Sequence, residues 1–96
     1  MSREIARAII EDKLKELRKF SYGALVKLVG RVSCDRVTGP DGGEYQVETE
    51  TRWDSNAGGD VRVIVAVGGP GTSTFKPLTG SFILSADGSF VGEKSR

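Results

Sequence analysis

The chemistry open to this chain is limited first by a residue type that it lacks, because none of its 96 residues is a histidine. Without histidine there is no Ser-His-Asp or Cys-His nucleophile, no imidazole base near neutral pH and no histidine ligand for zinc. The single cysteine, Cys34, has no second cysteine with which to hold a metal or close a disulfide. It is interpreted as a small apolar or half-exposed thiol, and the sequence predicts neither a metal nor a cofactor.

Carboxylates are the remaining groups that could do acid–base work or hold a hard cation. Glu48 and Glu50 share one face of a predicted strand. Further acids near the ends of that strand are Asp35, Asp41, Asp54 and Asp60. Their spacing lacks the regular one-three-five order of a calcium loop, so turns and a solvated sheet face account for them. A carboxylate-based enzyme is therefore the least favoured function, and no catalytic residue is predicted.

A glycine-rich run, residues 68–74, follows a valine-rich strand as a phosphate-binding loop would. A Walker A loop ends in Gly-Lys-Ser/Thr before a helix, whereas here the first lysine is Lys76 and Pro77 follows it. The run therefore favours an interstrand loop, with anion binding through backbone amides as an alternative. A pocket between helix and sheet, lined by Trp53 or Tyr45 with Glu48 or Arg62 at its mouth, is the other ligand site considered. The candidate ligand-binding residues are Gly69, Gly71, Thr72, Ser73, Trp53 and Arg62.

Composition and charge exclude several classes of partner. Apolar residues make up 38% of the chain, charged residues 28%, and the net charge is +1, values typical of a soluble globular protein. The basic residues of the first thirty positions alternate with acids and form no stripe for nucleic acid. No apolar run approaches the roughly 20 residues of a membrane span, and the first residues lack the apolar segment of a signal peptide. We therefore expect a cytoplasmic protein that binds neither nucleic acid nor membrane.

Two helices are predicted at the start of the chain. Ser2 fits the N-cap of a helix running to about Lys19, with its apolar side chains in one half of the helical wheel. Apolar residues over 22–29 then recur at helical spacing, which favours a short second helix. Residues 24–32 also fit a strand, so that alternative stays open.

The period then changes to that of strands. The organising stretch is residues 61–67, where four valines alternate with a partly apolar opposite face, as in an interior strand. Residues 82–86 also fit one helical turn. The four predicted strands are residues 31–38, 44–53, 61–67 and 78–85.

Loop length and charge predict registers for the first two hairpins. A three-residue loop over 40–42 places Val37 on the face of Tyr45 and sends Val32 and Cys34 to the other face, which requires a bulge or partial cover on both faces. In the second hairpin, pairing residue 53 with residue 61 would set two arginines opposite each other. A register shifted by two residues avoids this and is preferred. The pairs in that register are Glu50 with Arg62 and Arg52 with Asp60.

These elements predict an α+β fold, with an N-terminal amphipathic helix and a short second helix packed on one face of a three- to four-stranded antiparallel meander sheet. We expect a single domain over residues 1–92 and a disordered tail over 93–96. By elimination, the predicted function is a non-catalytic protein-interaction or assembly module, with a small-ligand or anion-binding domain as the alternative. An open meander leaves edge strands, so we expect a homodimer through strand 31–38 or 78–85, or binding of another protein.

Overall fold

The computed structural model describes residues 2–69 and 77–93. The helices are α1, Arg3–Leu17, and α2, Tyr22–Val26, and the strands are β1, Val32–Thr38; β2, Glu44–Trp53; β3, Val61–Gly68; and β4, Leu78–Leu84. The strands form one antiparallel sheet in the order β1-β2-β3-β4, and both helices pack on it. The predicted α+β fold is therefore confirmed, with four strands in the sheet.

Serine caps fix where both helices begin. The Ser2 side chain accepts a hydrogen bond from the Ile5 N–H at 3.3 Å, and Ser21 does the same for Ala24 at 3.1 Å. α1 ends two residues before the predicted boundary, and α2 is shorter than predicted because single turns follow Val26. Gly30, at a φ of 87°, then turns the chain into β1, so the strand alternative for 24–32 is wrong.

The core lies between the helices and one face of the sheet, here called the inner face. All four valines of β3 that point inward are fully buried, as the alternation predicted. The helices cover them with Ala6, Ile10, Leu17 and Leu25, which are also buried. The opposite, outer face carries the intervening residues of each strand, and neither α1 nor α2 packs on it.

Gly80 determines how closely α1 approaches the sheet. A Cβ at this position would lie 2.6 Å from Ile10 Cγ2 and 2.9 Å from Leu14 Cδ1, so the helix rests directly on the backbone of β4. α1 therefore packs over β3 and β4, while α2 packs over β2 and β3. Neither helix covers β1, which is exposed along its length except for the half-buried Val37.

The first hairpin has the predicted register. Val37 pairs with Tyr45, and Val32 and Cys34 point to the outer face. The expected bulge or partial cover on both faces is wrong, because β1 pairs without interruption and Val32 and Cys34 are both exposed on the outer face. A local irregularity occurs only before the strand, where the Gly30 N–H donates to Thr51 O and Arg31 O accepts from Thr51 N–H.

The predicted register of the second hairpin is wrong. Trp53 pairs with Val61 and Arg52 with Arg62, which is the arrangement that cross-strand repulsion argued against. Arg62 is neutralised instead by Asp54, whose Oδ1 lies 2.8 Å from both Nε and Nη2. The loop itself fixes the register, because the Asp54 N–H donates to Asp60 O at 2.8 Å.

A tight turn after β4 folds the chain back along the outer edge of that strand. The Ser85 N–H donates to Ser89 O, Phe90 bridges to Leu84, and the Val91 N–H donates to Ile83 O at 2.9 Å. Asp87 holds the turn, since its carboxylate accepts from the hydroxyls of Ser85 and Ser89 and from the Ser89 N–H. These hydrogen bonds lower the pKa of Asp87 to about 2.

We expect the Asp87 carboxylate to titrate near pH 2, which carboxyl-carbon NMR would measure. Its pKa in the folded protein is lower than the usual value of about 3.9. The ionised carboxylate therefore stabilises the turn fully at pH values above about 3.9. This stabilisation is lost as the pH falls through the folded pKa. Ser85→Ala should raise the Asp87 pKa because it removes one donor. A wild-type midpoint at about 3.9 or higher would contradict the turn geometry.

The last described residue, Glu93, contacts Arg18, the C-cap of α1. Glu93, which the sequence assigned to a disordered tail, lies 2.6 Å from Arg18, and residues 94–96 lie outside the described residues. The Arg18 guanidinium stacks over the rings of Phe82 and Phe90, at 5.2 and 4.8 Å from their centroids. These contacts hold the segment after β4 against the fold.

Candidate functional site: the uncovered strand β1 and the cleft beside it

The described members of the predicted ligand site lie apart. Trp53 points inward at the end of β2 and packs against the core, whereas Arg62 points outward and is paired with Asp54. Gly69 follows the far end of β3, roughly 25 Å from the Trp53–Val61 pair at about 3.3 Å per residue. Gly71, Thr72 and Ser73 lie outside the described residues.

Several acidic residues have structural partners. Asp41 accepts from the Gly43 N–H at 3.0 Å and from the Tyr45 hydroxyl at 2.9 Å, and both bonds lower the pKa of Asp41. Burial raises the pKa of Tyr45, whose oxygen accepts from the Ser2 N–H at 3.1 Å. This chain of bonds ties the start of α1 to the first hairpin. Asp41 therefore stabilises the fold, as Asp54 does through Arg62.

Metal and membrane chemistry find no support in residues 2–69 and 77–93. Within these ranges, no three side chains of His, Cys, Asp or Glu are grouped closely enough to hold a metal ion. None of the helices described there has the length and apolar character needed to cross a membrane.

An open cleft of about 240 Å³ lies between α1 and β1. It exists because Gly80 draws α1 toward β4 and leaves the inner face of β1 without cover. Its floor is apolar and its rim is charged, with Lys13 Nζ 4.0 Å from Asp35 Oδ2. The residues that line it are Ile9, Val37 and Val47 on the apolar side and Asp12, Lys13, Glu16 and Asp35 on the charged side. Three carboxylates against one ammonium give this rim an acidic character that disfavours anions.

β1 itself is the least covered element of the described chain. It is an edge strand, exposed on both faces. The Gly39 N–H donates to Gly43 O at 2.8 Å, so alternate residues from Val37 back to Ser33 direct their backbone groups toward β2. The residues whose N–H and C=O point away from the sheet are Val32, Cys34, Arg36 and Thr38. No described residue pairs with these outward groups.

A comparison with protein families, with characterised proteins and with solved structures found no match for this chain. The candidate site therefore has to be judged on its own geometry. The sequence predicted β1 as one of two edges open to pairing, and it placed a pocket between helix and sheet at Trp53 and Arg62, neither of which lines the cleft. The residues that line the cleft come from the polar side of α1 and from a strand in which apolar and polar residues alternate only weakly. They lie together because of where α1 crosses the sheet.

Proposed function

We propose that this protein is a non-catalytic assembly module that joins a second copy of itself through the edge of β1. The supporting observation is a strand of seven residues whose outer edge is unpaired and whose two faces are both exposed. A row of free N–H and C=O groups is a template for another strand. Natural proteins block such an edge with proline, a bulge, a covering segment or charged side chains, and the charges of β1, Asp35 and Arg36, are of opposite sign. Within β1 there is no proline or bulge, and no described segment covers it.

The other edge strand is less suited to pairing. Phe90 and Val91 occupy the outer side of β4 at its carboxyl end, where they bond to Leu84 and Ile83. α1 also packs over β4, which would crowd an added chain on the inner side. Of the two edges considered from the sequence, β1 is therefore the one we propose.

The ligand-binding alternative has less support. Arg62, its predicted cation, is already bound to Asp54, and the rim of the cleft is acidic. An anion would meet net repulsion at that rim. The enzyme alternative gains nothing from Asp41 and Asp54, because both carboxylates serve structural bonds.

Light scattering over a concentration series tests the proposal with Cys34→Pro and Cys34→Ala. The Cys34 N–H points outward, so proline removes a donor from the interface without breaking a bond to β2. We expect the wild type and Cys34→Ala to reach twice the chain mass of 10.3 kDa. The dissociation constant of the Cys34→Pro dimer should be at least about tenfold higher than that of the wild type, because each dimer loses two hydrogen bonds.

Circular dichroism and melting curves should show that both variants keep the fold. A wild type that remains monomeric up to about 1 mM, the limit of a weak association, would overturn the proposal. A Cys34→Pro variant that dimerises as well as Cys34→Ala would also overturn it.

A further inference from the structure

We infer that the β1 strands of two copies pair antiparallel about a two-fold axis at Cys34. In this register the Arg36 side chain of each copy extends across Val32 of the other copy and reaches Glu50 of that same copy. This inference rests on the proposed self-association through β1 and adds the register and the residues that select the partner. Its basis is the direction of the backbone groups and the order of charges along the strand.

Backbone direction restricts the registers first. Only the outward-facing residues can exchange hydrogen bonds with a second chain, so allowed antiparallel registers differ in steps of two residues. In a symmetric dimer these steps place the axis at Ser33, Cys34, Asp35, Arg36 or Val37. An axis at Ser33 pairs only residues 32–34 of the two strands and one at Val37 only residues 36–38, which leaves most of the edge unused.

Charge then excludes two of the remaining registers. An axis at Asp35 sets that carboxylate opposite its own copy, and an axis at Arg36 sets two guanidinium groups opposite each other. Like charges in directly opposed positions are destabilising. The axis at Cys34 avoids both conflicts, because it pairs Ser33 with Asp35 of the partner copy and Val32 with Arg36 of the partner copy.

This register also covers the most exposed large apolar side chain of the described residues. Val32 has 56% of its surface exposed, and within its own chain it lies opposite Glu50. The stem of the partner copy's Arg36 would lie on Val32. Strands are spaced by about 4.8 Å, so Glu50 is two strands, or roughly 10 Å, from that arginine. The two extended side chains span this distance, and symmetry repeats the contact.

The resulting sheet would be continuous across eight strands. An axis through a directly opposed pair runs perpendicular to the sheet, so the helices of both copies lie on one side. On that inner side, the Ser33 hydroxyl could donate to Asp35 of the partner copy, which Lys13 already approaches within its own chain at 4.0 Å. Each face of the seam therefore offers one complementary contact, Arg36 with Glu50 on the outer face and Ser33 with Asp35 on the inner face.

A charge exchange tests the Arg36–Glu50 contact by analytical ultracentrifugation. Arg36→Glu and Glu50→Arg should each weaken dimerisation about tenfold, since each affects two symmetric contacts. The double variant Arg36→Glu, Glu50→Arg should recover most of the wild-type affinity. Lys15→Glu, which makes the same charge change at an exposed residue of α1, should leave the affinity unchanged.

Oxidative crosslinking tests the position of the axis. Directly opposed residues in a hydrogen-bonded pair have Cα atoms about 5.5 Å apart, within the range of a disulfide. Diamide takes two electrons and two protons from two thiols, so it should convert the dimer to a Cys34–Cys34 disulfide that survives a non-reducing gel. In registers shifted by two residues the thiols lie on a diagonal of about 7–8 Å, too long for a disulfide.

The results separate the register from the proposed function. Recovery in the double variant together with rapid crosslinking supports the register. A dimer that Cys34→Pro weakens, but that shows neither recovery nor crosslinking, would overturn the register and leave the edge-pairing function standing. A wild type that stays monomeric would overturn the function itself.

Discussion

Val65→Asp is expected to unfold the protein. Val65 is fully buried in the middle of β3, between Thr49 on β2 and Gly80 on β4. A carboxylate there would lose its hydration without gaining a cationic partner, at a cost of several kcal/mol. Small domains have a total free energy of unfolding of about 5–15 kcal/mol, so little or no folded protein should remain. Loss of the cooperative melting transition, followed by circular dichroism, measures this.

Ile64→Lys is the matched control for that substitution. Ile64 is the neighbour of Val65 on β3 but points to the outer face, where it is only half buried and lies opposite Glu50. A lysine there reaches water and gains an opposite charge, so its cost should stay within about 1 kcal/mol. A folded Val65→Asp, or equal damage from both substitutions, would contradict the assignment of inner and outer faces.

Gly80→Val is the second substitution expected to have a large effect. The new side chain would point at Ile10 and Leu14, which already lie within 3 Å of the position of a Cβ. α1 would have to lift off β4, and overpacking of this kind costs about 1–3 kcal/mol or more. Chemical denaturation should show a lower midpoint and, because the helix contacts loosen, faster hydrogen exchange in α1.

Gly68→Ala provides the comparison for Gly80→Val on the same sheet. Among the described residues, a Cβ at Gly68 would meet only Pro77, at 3.8 Å, which is an ordinary contact. Its effect should be neutral or slightly stabilising, because alanine reduces the freedom of the unfolded chain. If Gly80→Val were as mild as Gly68→Ala, close packing of α1 on β4 would be refuted.

The strands could be predicted well from the sequence because their pattern and their burial have the same cause. β-branched residues at period two specify both an extended backbone and the buried face, so β2 and β3 were placed within one residue of their observed bounds. The second helix was less certain: apolar spacing predicted it to residue 29, but it ends at Val26, and single turns carry the chain on to Gly30.

The register of the second hairpin could not be predicted from cross-strand charges. Exposed charge pairs contribute only about 0–1 kcal/mol to the free energy of unfolding. The hydrogen bonds of the loop that joins the strands therefore decide the register. Here the loop is anchored at a distance, because the Tyr22 hydroxyl donates to Gly59 O at 2.6 Å. That contact brings α2 to the loop between β2 and β3, and it joins residues 37 positions apart.

The candidate site was only half visible in the sequence for a similar reason. Strand 31–38 was predicted as an edge, but the cover on each edge depends on where α1 lies across the sheet. One glycine, Gly80, admits the helix over β4, and no periodicity reveals that role. The cleft beside β1 is a consequence of that placement, so its lining residues could not be grouped beforehand.

The exposure of β1 on both faces also affects how the sequence can evolve. The residues that would choose a partner, Val32, Cys34 and Arg36, are separate from those that hold the core. Substitutions at these positions do not lower the folding stability as substitutions of the buried valines in β3 do, so selection for stability does not remove them. A duplicated copy could therefore acquire its own pairing code through a few substitutions, and two such copies in one cell would recognise themselves rather than each other.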